Sequence, residues 1–194
     1  MMTNTLIDGL KERVSNAITI NQSVGVILPG NNYSDLIQAL LEHIQSRPQD
    51  VWVYVTITRP YESIIKQFGD QYIGRNIKFI DCISRAAGLS KIDPNCTFIE
   101  SPAHLEKIIM EIMDVFKDKE NNVQKYLIID SLTSLLIYND AQLVTEFFAQ
   151  LTNRTRLSDI HSVSIAIEEE MNDNINKIIY LRSDKIIKLR ESFI

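Results

Sequence analysis

Val24-Gly25-Val26-Ile27-Leu28-Pro29-Gly30-Asn31-Asn32-Tyr33-Ser34-Asp35 is the stretch that decides the fold. Val24 to Leu28 is a short apolar run, the pattern of a strand buried on both faces. Pro29 to Ser34 reads as a tight loop, and from Asp35 to Gln45 the apolar residues recur at helical spacing. Strand, loop and helix in this order make the frame of a phosphate-binding loop. A working loop needs G-x-x-x-x-G-K-[ST], so that glycine amides wrap the phosphates, lysine neutralises them and the hydroxyl holds Mg²⁺. Here Asn32 and Tyr33 stand where the second glycine and the lysine belong. The frame is present without the residues that hold phosphate.

Outward from this stretch, strands and helices alternate. Leu6, Leu10, Val14, Ala17 and Ile18 predict an amphipathic helix before the first strand. Val51 to Ile57 (VWVYVTI) is a β-branched and aromatic strand, and Pro60 opens a short helix to about Phe68. Ile77 to Cys82 and Cys96 to Glu100 predict two further strands, with an exposed loop marked by Gly88, Ser90, Asp93 and Pro94 between them. Pro102 begins a helix with an apolar face of Leu105, Ile108, Ile109, Ile112 and Phe116, and Met110 and Met113 are also assigned to core packing. Tyr126 to Asp130 (YLIID) is an apolar strand ending in a carboxylate. A helix follows from Ala141 to Leu157, with Leu143, Val144, Phe147, Phe148 and Leu151 on one side. Val163 to Ile167, a helix near Asp173 to Leu181 and a strand at Lys185 to Leu189 complete the pattern. Such alternation predicts an α/β fold with a mainly parallel sheet covered by helices on both faces, its function lying beyond the carboxyl ends of the strands. Strand order is not legible.

The 194 residues suffice for one α/β core, so a single domain spanning 1–194 is expected. The chain is 45% hydrophobic and 23% charged, without an apolar run long enough for a membrane span. Asp8, Lys11, Glu12 and Arg13 interrupt the N-terminal apolar residues, which argues against a secretory signal, so a cytoplasmic protein is expected. A net charge of -5 attracts no phosphate backbone, and Arg75, Lys78, Arg85 and Lys91 are scattered, so no nucleic-acid partner is expected. Cys82 and Cys96 read as buried free thiols. His43, His104 and His161 form no cluster, and no metal site or histidine-dependent catalysis is assigned.

The motifs VGVILPGNNYSD, VWVYVTITRPYESIIKQF, IKFIDCIS, YLIIDSLTSLL and SDKIIKL, in this order and spacing, resemble the KaiC-like branch of the RecA-fold P-loop ATPases, abundant in archaea. The resemblance runs from about Val24 to Leu189 and implies a RecA-like three-layer α/β/α sandwich. That family's loop typically reads PGTGKT, which places Pro29, Gly30, Asn31, Asn32, Tyr33 and Ser34 on it without a gap. Gly30 and Ser34 fit it; the second glycine and the lysine are lost. The family's paired glutamates at the end of the second strand, one of which polarises the attacking water, correspond to Thr58 and Arg59. Asp130 keeps the place of the Walker B aspartate. The resemblance thus implies a degenerate nucleotide site of Gly30, Asn31, Asn32, Tyr33, Ser34, Arg59 and Asp130, with no catalytic residue.

The residues carry structural readings as well. A lysine contact to phosphate is worth roughly 1.5 to 3 kcal/mol, so its loss weakens binding by about tenfold to more than a hundredfold. Asn31 and Asn32 are expected to keep the bend by the left-handed backbone that asparagine tolerates. Asp35 in the first helical turn is expected to stand in for phosphate at the helix dipole. Ser34 is expected to cap the helix, Asp130 to cap its following turn beside Ser131 and Thr133 in preference to binding Mg²⁺, and Arg59 to be a surface residue entering a helix before Pro60. Glu168, Glu169 and Glu170 read as solvated surface. The resulting expectation is a pseudo-ATPase scaffold or regulator, without cofactor, that binds a protein partner: itself or an active paralogue. The alternative is a divergent sensor or weak ATPase that binds Mg-ATP, with Arg59 replacing the lysine. The N-terminal helix and the Gly88 to Pro94 loop are the expected partner surfaces, since neither is needed to complete the sheet.

Overall fold

Among the described residues, α-helices and strands follow one another along the chain, and the sheet they build fixes where the loops emerge. They are α1 (Met2–Ile20), β1 (Ser23–Leu28), α2 (Tyr33–Gln45), β2 (Val51–Thr56), α3 (Tyr61–Phe68), β3 (Ile77–Asp81), β4 (Cys96–Phe98), α4 (Leu105–Lys117), β5 (Lys125–Asp130), α5 (Ala141–Leu157), β6 (Ile160–Ile167), α6 (Asp173–Arg182) and β7 (Lys185–Lys188). The structure is a computed structural model that describes residues 2–72, 74, 76–89, 91–117, 119 and 122–189. Arg75, Ser90 and the side chain of Leu6 lie outside the described residues.

The seven strands form one sheet in the order β4-β3-β2-β5-β6-β1-β7, and every pairing is parallel. Parallel neighbours need crossovers, and helices supply most of them, leaving both faces covered. Side chains alternate between the faces as the strand period of two requires. Val24, Val26, Trp52, Tyr54, Tyr126, Ile128, Val163 and Ile165 point toward the layer of α1, α2 and α3. Ile27, Val53, Val55, Leu127, Ile129 and Ala166 point toward α4, α5 and α6. The result is a RecA-like three-layer α/β/α sandwich. Among the described residues, no helix is long and apolar enough to cross a membrane.

Close approach explains Gly25 on β1. A Cβ there would lie 2.7 Å from Ile186 Cδ1 and 2.8 Å from Ile179 Cγ2, so glycine lets β7 and α6 close onto the strand. On the other face α1 buries Leu10, Val14, Ala17 and Ile18. Ser15 Oγ lies 2.7 Å from His43 Nδ1 on α2, and His161 Nδ1 lies 2.9 Å from the carbonyl of Ile18. The N-terminal helix has therefore already spent its described apolar face within the chain. Phe147, Phe148, Cys82 and Cys96 are buried as expected, with both cysteines free. Two core assignments are corrected: Met110 and Leu143 are exposed, each just off the inward stripe of its helix.

Candidate functional site

The loop after β1 is a right-handed 3-10 turn over Gly30–Asn32, running directly into α2. Asn32 has φ -93° and ψ 0°, and its N–H donates to the Pro29 carbonyl at 3.0 Å, so the bend needs no left-handed asparagine. Because α2 begins at Tyr33, Ser34 falls inside its first turn and is not the cap. This early start turns the Tyr33 side chain inward, where only 4% of it remains exposed.

Tyr33 then meets Asp130 across the sheet. Its hydroxyl donates to Asp130 Oδ2 at 2.6 Å, and the hydroxyl of Tyr54 on β2 donates to the same oxygen at 2.6 Å. The parallel register brings these groups together: Thr56 pairs with Asp130, and Tyr54 points to the same face two residues earlier. Asp130 is fully buried, and its Oδ1 has no hydrogen-bond partner among the described residues. Burial pushes its carboxyl up to about 6, opposed by the Tyr33 and Tyr54 hydroxyls, by Thr58 and by the charge of Arg59. Burial, followed by the carboxylate, raises both phenols well above the ordinary tyrosine value. Asp130 therefore does not cap its own turn. Ser131 does so, its Oγ accepting the Ser134 N–H at 3.2 Å within a cluster that includes Thr133 and Thr58.

Two further groups close over the loop. Both oxygens of Glu169 lie 3.0 Å from the Gly30 N–H, so a carboxylate occupies an amide of the kind that would otherwise receive phosphate oxygen. Asp35 lies in the first turn of α2 as expected, while the Gly30 amide is taken by Glu169. The neighbouring glutamates also have partners: Glu168 pairs with Lys188 at 2.7 Å, and Glu170 accepts from Ser134 Oγ at 3.4 Å. The acidic run is exposed yet engaged, which corrects its reading as merely solvated surface.

Arg59 stands at the entry to α3 before Pro60, half-buried, and its guanidinium has partners there. Its guanidinium carbon sits 4.6 Å from the centre of the Tyr33 ring, Nη1 donates to Gln67 Oε1 at 2.6 Å and Nη2 approaches Ser34 Oγ at 3.4 Å. The structure thus brings Tyr33, Ser34, Arg59 and Asp130 into one cluster, with Gly30 at its rim, while Asn31 and Asn32 contribute the turn. Tyr54 and Glu169 were missed by sequence reasoning, since neither lies in the recognised motifs' ligand positions. Among the described residues, no group of three or more His, Cys, Asp or Glu side chains is placed to hold a metal ion.

No known family pattern and no curated protein matches this sequence. Solved structures do match in three dimensions. An uncharacterized protein of Pyrococcus horikoshii, solved in complex with an unknown peptide, is 14% identical with a TM-score of 0.67 over 88% of this chain and 78% of that one. A KaiC-like protein of Pyrococcus horikoshii OT3 is 13% identical with a TM-score of 0.57 over 90% and 74%. The flagellar accessory protein FlaH of Methanocaldococcus jannaschii is 16% identical with a TM-score of 0.51 over 87% and 71%. At these identities the likeness is one of fold, and the fold is the RecA-like α/β architecture that the chain shares with these archaeal proteins.

Proposed function

We propose that the chain is a non-catalytic RecA-like protein that acts by binding, as a scaffold or regulator for a protein partner. One observation carries this reading. The residue at the lysine position, Tyr33, donates its hydroxyl to the carboxylate at the Walker B position, so the two groups that would share Mg-ATP are bonded to each other. Tyr33 brings no positive charge, and the Gly30 amide is already taken by Glu169. Thr58 and Arg59 stand where the water-activating pair would be, and Thr58 is committed to hydroxyl partners. No cofactor is needed. A cytoplasmic protein that binds neither nucleic acid nor membrane fits the acidic composition.

The partner is a second copy or an active paralogue of the same fold. The loop at Gly88 to Pro94 remains the favoured surface, because Ile92 is 93% exposed there. The peptide solved with the Pyrococcus horikoshii neighbour is in keeping with a binding role for this architecture. The second reading, a nucleotide sensor, draws on the position of Arg59 beside Ser34.

Thermal unfolding with and without millimolar Mg-ATP, ADP and GTP separates the two readings. A ligand at a hundred times its dissociation constant adds about 2.7 kcal/mol of stability, and the scaffold reading expects no nucleotide-specific rise. A rise that is abolished by Arg59→Ala would establish the sensor instead. Light scattering of the chain alone and mixed with the paralogue tests the partner; separate monomers throughout would count against the scaffold.

A further inference from the structure

The loop's two anion-seeking groups have met different fates. The Gly30 amide is closed by Glu169, whereas the Arg59 guanidinium has no carboxylate within ion-pair distance among the described residues. Arg47, Arg85 and Arg156, by contrast, are each paired with an acid. The contacts around Arg59 are neutral: the Tyr33 ring beneath it, Gln67 on Nη1 and Ser34 beside Nη2. They fix the direction of the guanidinium without cancelling its charge. The Asp130 carboxylate acts on it only from a distance, being buried and bonded to Tyr33.

Ser34 completes the arrangement. Its Oγ is approached by Arg59 Nη2 at 3.4 Å and by Gln67 Nε2 at 3.5 Å, and its own O–H hydrogen has no acceptor among the described residues. A hydroxyl in that position is a spare donor beside a spare cation. Planar guanidinium edges match oxyanions with two parallel hydrogen bonds, and a side chain already held in place loses little freedom on binding.

We propose that Arg59, Ser34 and Gln67 form a recognition site for one small oxyanion group, a carboxylate or a phosphomonoester, carried by the binding partner. The site takes a single group and not a triphosphate chain, because the path along the loop toward Gly30 is closed by Glu169 and the path inward by Tyr33. This inference rests on the scaffold reading and gives its partner a chemistry: an acidic side chain, a chain terminus or a phosphorylated residue seated on Arg59.

The test follows the Arg59 Nε–Hε resonance of the full ¹⁵N-labelled chain, assigned by its loss in Arg59→Lys. The chain is titrated separately with sodium phosphate, sodium acetate and Mg-ATP against sodium chloride of matched ionic strength. Saturable movement with phosphate or acetate, mirrored at the Ser34 backbone amide and weakened there about tenfold or more in Arg59→Gln at unchanged melting temperature, supports the site and identifies its source as phosphoryl or carboxylate. Ser34→Ala should weaken the same titration without moving the resonance of the free protein far. An unmoved resonance up to tens of millimolar oxyanion, or movement that chloride reproduces, overturns it. Saturation by micromolar Mg-ATP with a parallel shift at the Gly30 amide overturns the scaffold reading and the single-group site together. Inertness to all three anions removes only the site.

Discussion

Strands β2 and β5 carry one column of side chains on the α2 face, and the two ends of that column are built in opposite ways. At the amino end Trp52 stacks on Tyr126, with ring centres 4.2 Å apart and planes 12° from parallel, and His43 meets Trp52 edge-on at 5.5 Å. At the carboxyl end the same column holds Tyr54 and Asp130, joined by Tyr33. One end is solved by packing aromatic surface. The other keeps a buried carboxylate with an orphan oxygen, an arrangement whose unmet acceptor costs about 1 to 3 kcal/mol. Packing alone does not call for an acid at this position, since a branched aliphatic residue would fill it. The difference teaches that the amino end is held by stacked aromatic surface, whereas the carboxyl end turns its polar groups inward onto one buried carboxylate.

The largest expected effect lies at the packed end. Trp52→Ala removes a fully buried ring and should cost about 3 to 5 kcal/mol in urea unfolding, since the sheet beneath cannot collapse to fill the space. Trp52→Phe should cost clearly less, because it keeps a ring and removes a buried indole N–H that has no partner among the described residues. Equal losses from the two substitutions would show that the stack on Tyr126 contributes little.

The two ends also oppose each other in acid, which gives the next prediction. Burial, helped by the Arg47 charge, pushes His43 down to about 4, so the unfolded chain takes up that proton first and stability falls as pH drops from about 6.5 toward 4. Asp130 has the reverse sign. Its carboxyl, lifted from 3.8 to about 6, is protonated first in the native state, and ionising it takes away roughly 3 kcal/mol as pH rises through that window. In the native chain the two slopes partly cancel between about pH 4 and 6. Asp130→Asn removes one of them, so the variant should gain stability relative to the parent at pH 8, keep about half of that advantage at pH 5, lose it below about pH 4 and unfold more steeply in acid. An identical pH profile for parent and variant would mean that Asp130 is not the titrating group.

A smaller effect tests the phenol pair. Tyr33→Phe and Tyr54→Phe each remove one of two donors to a single oxygen, and each should cost about 1 kcal/mol. The double variant should cost more than their sum, because the last donor leaves the carboxylate wholly unpartnered. Strict additivity would place the two hydroxyls in separate environments and undo the shared contact.

Much of the frame was legible in the sequence because strand and helix periods are local. The apolar run VGVIL and the spacing of Leu36, Leu40 and Ile44 need no tertiary knowledge to be read. The α5 boundaries followed for the same reason. What failed depended on where a turn begins or on partners distant in the chain. Ser34 reads as a cap only if the helix starts after it; starting at Tyr33 moves Ser34 to the Arg59 side. Nothing within Tyr33's own neighbourhood points to Asp130, 97 residues away; the resemblance placed both at one site, but the bond between them rests on a strand order that is not legible in one sequence. Leu143 and Met110 show the same limit on a finer scale, since an apolar residue one position off the stripe faces water.

The smallest predicted effect concerns the contact furthest from any motif. Glu169→Gln keeps an acceptor near the Gly30 N–H and removes its charge, at an exposed position where such an interaction is worth under about 1 kcal/mol. Global melting should therefore barely move. Amide exchange is the more sensitive readout, because Gly30 protection reports the local contact directly, and exchange there should rise by up to about fivefold while amides within β1 stay unchanged. Unchanged exchange at Gly30 would mean that the carboxylate does not rest on the loop in solution. The carboxyl end would then be turned inward only through Tyr33, and the path along the loop toward Gly30 would be open to anions.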